Sequence, residues 1–488
     1  MKGVRRMKSG MSNELGIKKA YATFMFPFAF HEKKRKSLMT TLTDNGFTFF
    51  KLGREELQDK YYGRGVKIIH EELDQYFLPY IEDKLFPTST KNRGFLRYSK
   101  QYNDHFNWQL REDAMDFHLN SLDITLCPFG IGVVTLRVGL TDMNYTLSEV
   151  LNFISHFRVM EPKLREEKGV RIFTEGKEIK TTSELIMEHL CPSIKPFIVS
   201  SNKLAGYYGG LPFFEDERML SSAFLIANEQ EEITNEQLYR ISRLDGKDID
   251  GNPLISSNNK QYIDQYVQKH AYDRWAPLTY QIFSENTQMT VSVKPREMLD
   301  KEIAAFMSTD YYNLFLHYYY KVMLLRLSFE YSEITWVKDK EYVKELMERI
   351  SKFYSRYFFG LISSRSEGKE ITNFLRNSFQ LEALFSEVSN TLNDLYRGQA
   401  NQIDARQNAL LFMLTIYTVV SGIYGMNLVI DDWKDFTNWA EISGYSFFEW
   451  VAFLTAISGI GIAIAILAMY GWNGVRDKYR KWKRSREM

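Results

Sequence analysis

Residues 407–430 read QNALLFMLTIYTVVSGIYGMNLVI, 24 residues without a charge. As a helix this run is ~36 Å long at ~1.5 Å per residue, enough to cross a ~30 Å hydrocarbon core. A second uncharged run, VAFLTAISGIGIAIAILAMYGWNG, occupies 451–474. Two such runs in tandem predict two C-terminal transmembrane helices, at 409–430 and 447–474. The alternative is a pair of buried helices in a soluble core. Mean hydropathy over the chain is −0.33, soluble on average, because the apolar signal is concentrated in the last part of the sequence.

The flanks predict the orientation. The tail RDKYRKWKRSREM carries seven Lys or Arg against two acids. Basic flanks stay on the cytoplasmic side, so the tail 475–488 is expected there. Two crossings return the large N-terminal part to the same side, giving a multi-pass protein of the cell (inner) membrane. The link 431–446 is then the outward-facing piece. It carries Asp431, Asp432, Asp435 and Glu441 against Lys434, with Trp433, Trp439, Tyr445 and Trp450 at positions that suit interface aromatics. Acids ringed around a mouth raise the local cation concentration. A solvated loop whose acids only stay wet fits the same residues.

A polar stripe runs along the first crossing. Asn401, Asp404, Asn408, Leu411, Thr415, Thr418 and Gly422 lead up to Asn427, spaced mostly three or four apart. That spacing is one helix face, and all but Leu411 are polar or glycine. Polar groups in a membrane turn from lipid toward a bundle interior or water. One helix cannot enclose water, so the stripe predicts several copies around a shared axis. It also fits a helix–helix packing seam, which small and polar residues mediate in membranes.

Upstream, Ile371, Phe374, Ser378, Leu381, Phe385, Val388, Leu392 and Leu395 form a heptad-like seam. No proline lies between Ile371 and Ile430. The expectation is one continuous helix from about Ile371 to Met426, started by SEGKE (366–370), with 371–408 as its cytoplasmic stalk.

The stretch Tyr424-Gly425-Met426-Asn427 closing that helix, with the tandem crossings and the basic tail, resembles the CorA superfamily of magnesium channels. The likeness covers about Ile371 to the end. It implies a homopentameric funnel with an α/β cytoplasmic domain. It also implies that Gly425, Met426 and Asn427 form an outer selectivity ring, with Asn401, Thr418 and Gly422 lining the pore. Asn427 would then offer a neutral oxygen to a cation that keeps its water, which suits Mg²⁺, transported or regulatory. The departures are specific. Ile416 stands where the family has proline, and Thr415 and Gln407 stand where it has large apolar gate residues, with Asp404 below them. LVIDDWKDF replaces the usual Met-Pro-Glu-Leu loop. Apolar constrictions gate by dewetting, and a Thr, Gln and Asp lining resists that.

The rest of the chain is larger than such a channel needs. Strands are expected at 20–30, 116–127, 130–140, 219–228 and 278–293, with a hairpin around CPFG. Helices are expected at 147–157 and 235–242, and a loop at 241–260. An α/β domain over 1–295 and a helical connector over 296–370 follow, the aromatic-rich YYNLFLHYYY of the connector reading as interhelix core. The chain's 488 residues suit two to three domains. A net charge of +1 argues against a nucleic-acid partner. Cys127 and Cys191, the only cysteines, cannot build a disulfide framework or zinc cluster. The charged start MKGVRRMKSG reads as lacking a secretory signal.

Enzyme motifs are absent from the sequence. There is no Walker loop, Gly130–Gly132 and Gly63–Gly65 lack the rest of a nucleotide fingerprint, and HEEL at His70 is not HExxH. The chain is therefore expected not to be an enzyme. Its enlarged N-terminal part and altered gate are similar to CorA-like membrane effectors of type III CRISPR defence, which implies a small nucleotide ligand that opens the pore. A membrane-anchored scaffold that conducts nothing is the remaining alternative.

Overall fold

Two apolar runs, GIKKAYATFMFPFA and IGVVTLRVGL, lie side by side at the centre of a single sheet. The computed structural model describes residues 14–53, 61–62, 66, 68, 70–140, 145–199, 218–229, 231–332, 340–424, 446–448, 450–451, 454 and 457–458. Their strands are β1 (Gly16–Ala29), β2 (Thr48–Phe49), β3 (Leu96–Leu110), β4 (Asp113–Cys127), β5 (Ile131–Leu140) and β6 (Tyr145–Thr146). Then follow β7 (Arg171–Thr174), β8 (Lys177–Ile179), β9 (Leu220–Ala227), β10 (Ala271–Tyr272), β11 (Thr279–Phe283) and β12 (Thr287–Ser292). The order is β10-β11-β12-β9-β1-β5-β4-β3-β7-β8, with β2 on β3 and β6 on β1. The β12–β9 pair is parallel and the other described pairs are antiparallel.

The helices are α1 (Arg35–Asp44), α2 (His70–Tyr76), α3 (Pro79–Leu85), α4 (Leu147–Phe157), α5 (Thr182–Glu184) and α6 (Asn235–Arg243). They continue with α7 (Lys260–His270), α8 (Asp300–Met307), α9 (Thr309–Ser332), α10 (Lys340–Arg356), α11 (Ser366–Ser378) and α12 (Leu381–Tyr424).

Side chains alternate across a strand, so each strand has two faces. On one face Phe24, Phe26 and Phe28 of β1, Leu122, Ile124 and Leu126 of β4, and Val134, Leu136 and Val138 of β5 join the main apolar core. Helix α4 seals this face, with Phe157 against Phe24 at 4.8 Å and Phe153 against Trp108 at 5.5 Å. Its start is set locally by a capping box between Thr146 and Glu149. The opposite face is polar although buried: Arg97, Ser99, Ser121, Asp123, Thr125, Thr135 and Arg137 lie on it. A register shift between Leu119 and Ser121 lets Phe117 and Leu119 stay on the apolar side while Ser121 and Asp123 take the polar side.

Helix α9 packs on that polar face, and its tyrosines explain how. The Tyr312 hydroxyl accepts from Arg97 at 2.7 Å, and the Tyr311 hydroxyl pairs with Thr135 at 3.2 Å. The segment YYNLFLHYYY is therefore a sheet-facing element with polar handles, as well as core between helices.

The hairpin around CPFG is present, with β4 and β5 joined by Pro128–Gly130. Gly130 has φ +72, and a Cβ there would meet the Phe30 carbonyl oxygen at 2.5 Å, so Gly130 is a turn requirement; Gly132, inside β5, makes room for the Phe28 ring. The expected strand 278–293 is instead the β11–β12 hairpin. Its Ser284 N–H bonds the Thr287 carbonyl at 2.8 Å, closing a turn over SEN. The expected unbroken helix from Ile371 is interrupted. Gln380 takes φ +53, ending α11 and restarting the chain as α12. SEGKE forms the first turns of α11 rather than a break before it.

The chain divides into two compact units. The first is Met1–Glu333 with Glu348–Val388, and so includes the sheet, α8, α9 and α11. Here the seam residues bury against their own chain: Phe374 stacks on Phe283 at 5.3 Å and Phe385 on Phe358 at 4.8 Å. The second unit is Ile334–Met347 with Ser389–Met488, and its described part is chiefly α12 beyond Ser389. Among the described residues no helix is long and apolar enough to cross a membrane. The first expected crossing, 409–430, is described only to Tyr424, and most of 447–474 lies outside the described residues, as does the loop 431–445.

Candidate functional site

Helix α12 carries the stripe predicted from the sequence. Asn401, Asp404, Asn408, Leu411, Thr415, Thr418 and Gly422 all fall within its 44 residues, and their three-four spacing places them on one face. Such a repeat drifts by about 20° per heptad on a straight helix, so the stripe stays a stripe over this length. Asp404, Asn408, Leu411, Thr415 and Thr418 are exposed. So are the apolar residues beside them: Leu410, Phe412 and Leu414 are 53%, 68% and 65% exposed. Across 407–418 only Met413 and Tyr417 are half-buried and the other residues are exposed.

The two threonines have a defined hydroxyl geometry. Thr415 Oγ1 donates to the Leu411 carbonyl and Thr418 Oγ1 to the Leu414 carbonyl, each at 2.8 Å. Both hydrogens are thus committed to the helix backbone. The oxygen lone pairs are what remains to be offered outward, which makes each threonine a neutral acceptor suited to a cation or its water. Gly425, Met426, Asn427, Asp431, Asp432 and Asp435 lie outside the described residues. Among the described residues no cluster of His, Cys, Asp or Glu is gathered to hold a metal ion.

A second constellation was not anticipated from the sequence. Asp123 of β4 lies opposite Ser99 of β3 and Thr135 of β5 in the ladder, with Arg97 and Arg137 on the diagonals. Arg97 reaches Asp123 at 3.0 Å and also donates to Ser99 and Tyr62. Arg137 donates through Nη1 to Oδ2 of Asp123, the oxygen that Arg97 Nε also reaches, while Arg97 Nη2 takes Oδ1 at 3.3 Å. All three side chains are buried. Burial alone would raise the Asp123 carboxyl; Arg137 and then Arg97 outweigh it and hold it below the usual carboxylate range. The available signal was a lone charge in each apolar run, Arg137 in IGVVTLRVGL and Asp123 in LDITLC. A buried strand tolerates a charge only when it is paired.

The face between β11, α9 and α11 holds a third group. Asp310 of α9 is buried, and Gln281 Nε2 donates to its carboxylate at 2.8 Å. Burial, followed by the charge of Glu367 on α11, raises its carboxyl to about 7 against the lowering effect of the Gln281 bond. Nearby, Asn313 donates to Tyr76 and Thr372 at 3.4 and 3.5 Å, joining α9, α2 and α11. Cys127 and Cys191 are free and buried; burial pushes the Cys191 thiol up to about 12, so it is unreactive at neutral pH.

No family model matches the chain, and no curated protein matches it. Among solved structures, the CorA magnesium transporter from Methanocaldococcus jannaschii is similar at 13% identity with a TM-score of 0.13, over 51% of this chain and 90% of that one. This is a weak structural likeness, and by itself it carries no argument about fold or activity.

Proposed function

We propose that this chain is one subunit of a CorA-like membrane cation channel, in which copies of α12 line a water-filled path and the α/β unit controls it. One observation carries the reading. A 44-residue helix carries a row of oxygen-bearing residues, and the apolar Leu410, Phe412, Leu414 and Ile416 beside them are exposed. Apolar exposure on this scale calls for lipid or further copies of the chain, and the oxygen row calls for water or a cation. The cargo is Mg²⁺ or a related divalent ion that keeps part of its hydration shell. Asn427 forms the outer ring, and Thr415 and Thr418 supply neutral oxygens below it. The assembly is a pentamer by resemblance, with both ends of the chain cytoplasmic.

A second reading follows from the size of the first compact unit and the polar gate: a pore opened by a small nucleotide, as in antiviral membrane effectors. The chain reconstituted in liposomes separates the two. A Mg²⁺ channel conducts Mg²⁺, loses selective flux in Asn427→Ala, and closes as internal Mg²⁺ rises. A nucleotide-gated pore ignores internal Mg²⁺. Unchanged flux in Asn427→Ala removes the role given to that residue, and a well-ordered oligomer that passes no current leaves only a scaffold.

A further inference from the structure

The Arg97–Asp123–Arg137 network does not balance. Two guanidinium groups and one carboxylate leave a single positive charge, and among the described residues no other carboxylate bonds to either arginine. Arg97 is satisfied through Ser99, Tyr62, Tyr312 and Asp123. Arg137 is not: only its Nη1 is bonded, and Nε and Nη2 are buried with no hydrogen-bond partner. These two nitrogens are one edge of the planar guanidinium. Their N–H groups run parallel and form the two-pronged fork that matches the two oxygens of a carboxylate or phosphate.

The rings of Tyr311 and Tyr62 lie near the group, at 4.5 and 5.2 Å from its central carbon. They offset part of the charge, while Nε and Nη2 still have no hydrogen-bond acceptor. A buried donor left unmatched destabilises the fold, and a charged one does so more strongly. The network is therefore missing one acceptor pair and one negative charge. A dianion would overshoot to a net −1, whereas a monoanion closes both deficits.

We propose that the free edge of Arg137, at the junction of β5 and α9, is a binding site for a monoanionic oxyanion, either a phosphodiester or a carboxylate group. Arg137 and Tyr62 are fully buried, so binding requires the packing over this edge to open. The assignment is independent of the channel reading, because binding is measured without ion flux.

The test is thermal unfolding of the full chain in detergent micelles at fixed ionic strength. Sodium dimethyl phosphate, sodium acetate and sodium chloride are titrated in turn. Wild type should gain a saturable rise in midpoint with one of the two oxyanions, which names the source, and none with chloride. Saturation separates site binding from a general salt effect, the stabilisation following ln(1 + [L]/Kd). Arg137→Met removes fork and charge together, leaving Arg97 and Asp123 as a balanced pair, and should show no anion-dependent rise. Arg137→Lys keeps the charge but loses the fork, and should need at least about tenfold more anion, the worth of about 1.4 kcal/mol. It decides the matter if the methionine variant does not fold. The proposal is overturned if neither oxyanion gives wild type a saturable rise, or if the variants respond as wild type does.

Discussion

Asp123 on β4 and Arg137 on β5 form an ion pair from which solvent is wholly excluded, both side chains showing no exposure. The two residues are 14 positions apart in sequence and diagonal in the ladder, so the Pro128–Gly130 turn sets their meeting. Asp123→Asn keeps the shape and removes the charge that two buried guanidinium groups share. Breaking such a pair costs about 3–5 kcal/mol. A thermal midpoint within a degree of wild type would show that the carboxylate is not what holds Arg97 and Arg137 in the sheet. The double variant Asp123→Asn with Arg137→Met should lose less than the sum of the two, since it leaves one buried cation instead of two.

Asp310 makes stability depend on pH in a defined direction. Its folded carboxyl titrates at about 7, well above the value of about 3.9 in an unfolded chain. Between these values the folded state holds a proton that the unfolded state has released. Stability from this group is therefore full below about pH 4, falls by about 1.4 kcal/mol per pH unit as pH rises toward 7, and is level beyond. Asp310→Asn should remove that slope and be the more stable protein at pH 8. Burial lowers His317 to about 4, which gives an opposite slope from pH 6.5 downward. The difference between wild type and Asp310→Asn isolates the carboxylate, and parallel pH profiles for the two proteins would contradict the assignment.

Thr415 and Thr418 can be replaced by valine with little change of shape. Valine frees the Leu411 and Leu414 carbonyls from a side-chain bond that the helix does not need, because each is already an i−4 backbone acceptor. Folding should stay within about 0.5 kcal/mol of wild type, as for substitutions away from the core. Conductance should fall, because an oxygen ring becomes a methyl ring that favours dewetting. Asp404→Leu should act in the same direction. Equal single-channel conductance in all three variants would remove this face from the ion path.

The break at Gln380 rests on one left-handed residue. Glycine adopts that conformation without penalty, whereas a β-branched side chain does so only at a cost. Gln380→Gly should leave the thermal midpoint near wild type, and Gln380→Val should lower it by the equivalent of about 1–2 kcal/mol. Hydrogen exchange across Phe379–Leu384 checks where the change falls. Faster exchange elsewhere but not there would place the strain in another part of the chain.

Elements specified by neighbours in sequence were legible. Helix α4 spans Leu147–Phe157 as its periodicity and its Thr146 cap require, and the CPFG turn joins β4 to β5. The seam from Ile371 to Leu395 is buried or half-buried throughout. Less legible were features in which local pattern is weak or divided. β3, LRYSKQYNDHFNWQL, mixes polar and apolar residues and becomes a strand through its pairing with β4. The 278–293 run reads as continuous because Ser284 and Asn286 interrupt it only briefly.

The sequence alone determined the oxygen stripe of α12, since residues three and four apart share a helix face whatever else the chain does. It also determined which strands carry apolar alternation. Only the tertiary structure decided that Arg97, Asp123 and Arg137 converge, that two tyrosines of α9 cover them, and that one edge of Arg137 is left unmatched. The physical reason is range. Periodicity and capping act over a few bonds, whereas strand register and helix docking join residues as far apart as Arg97 and Tyr312, separated by 215 positions, and no local pattern encodes which of them will meet.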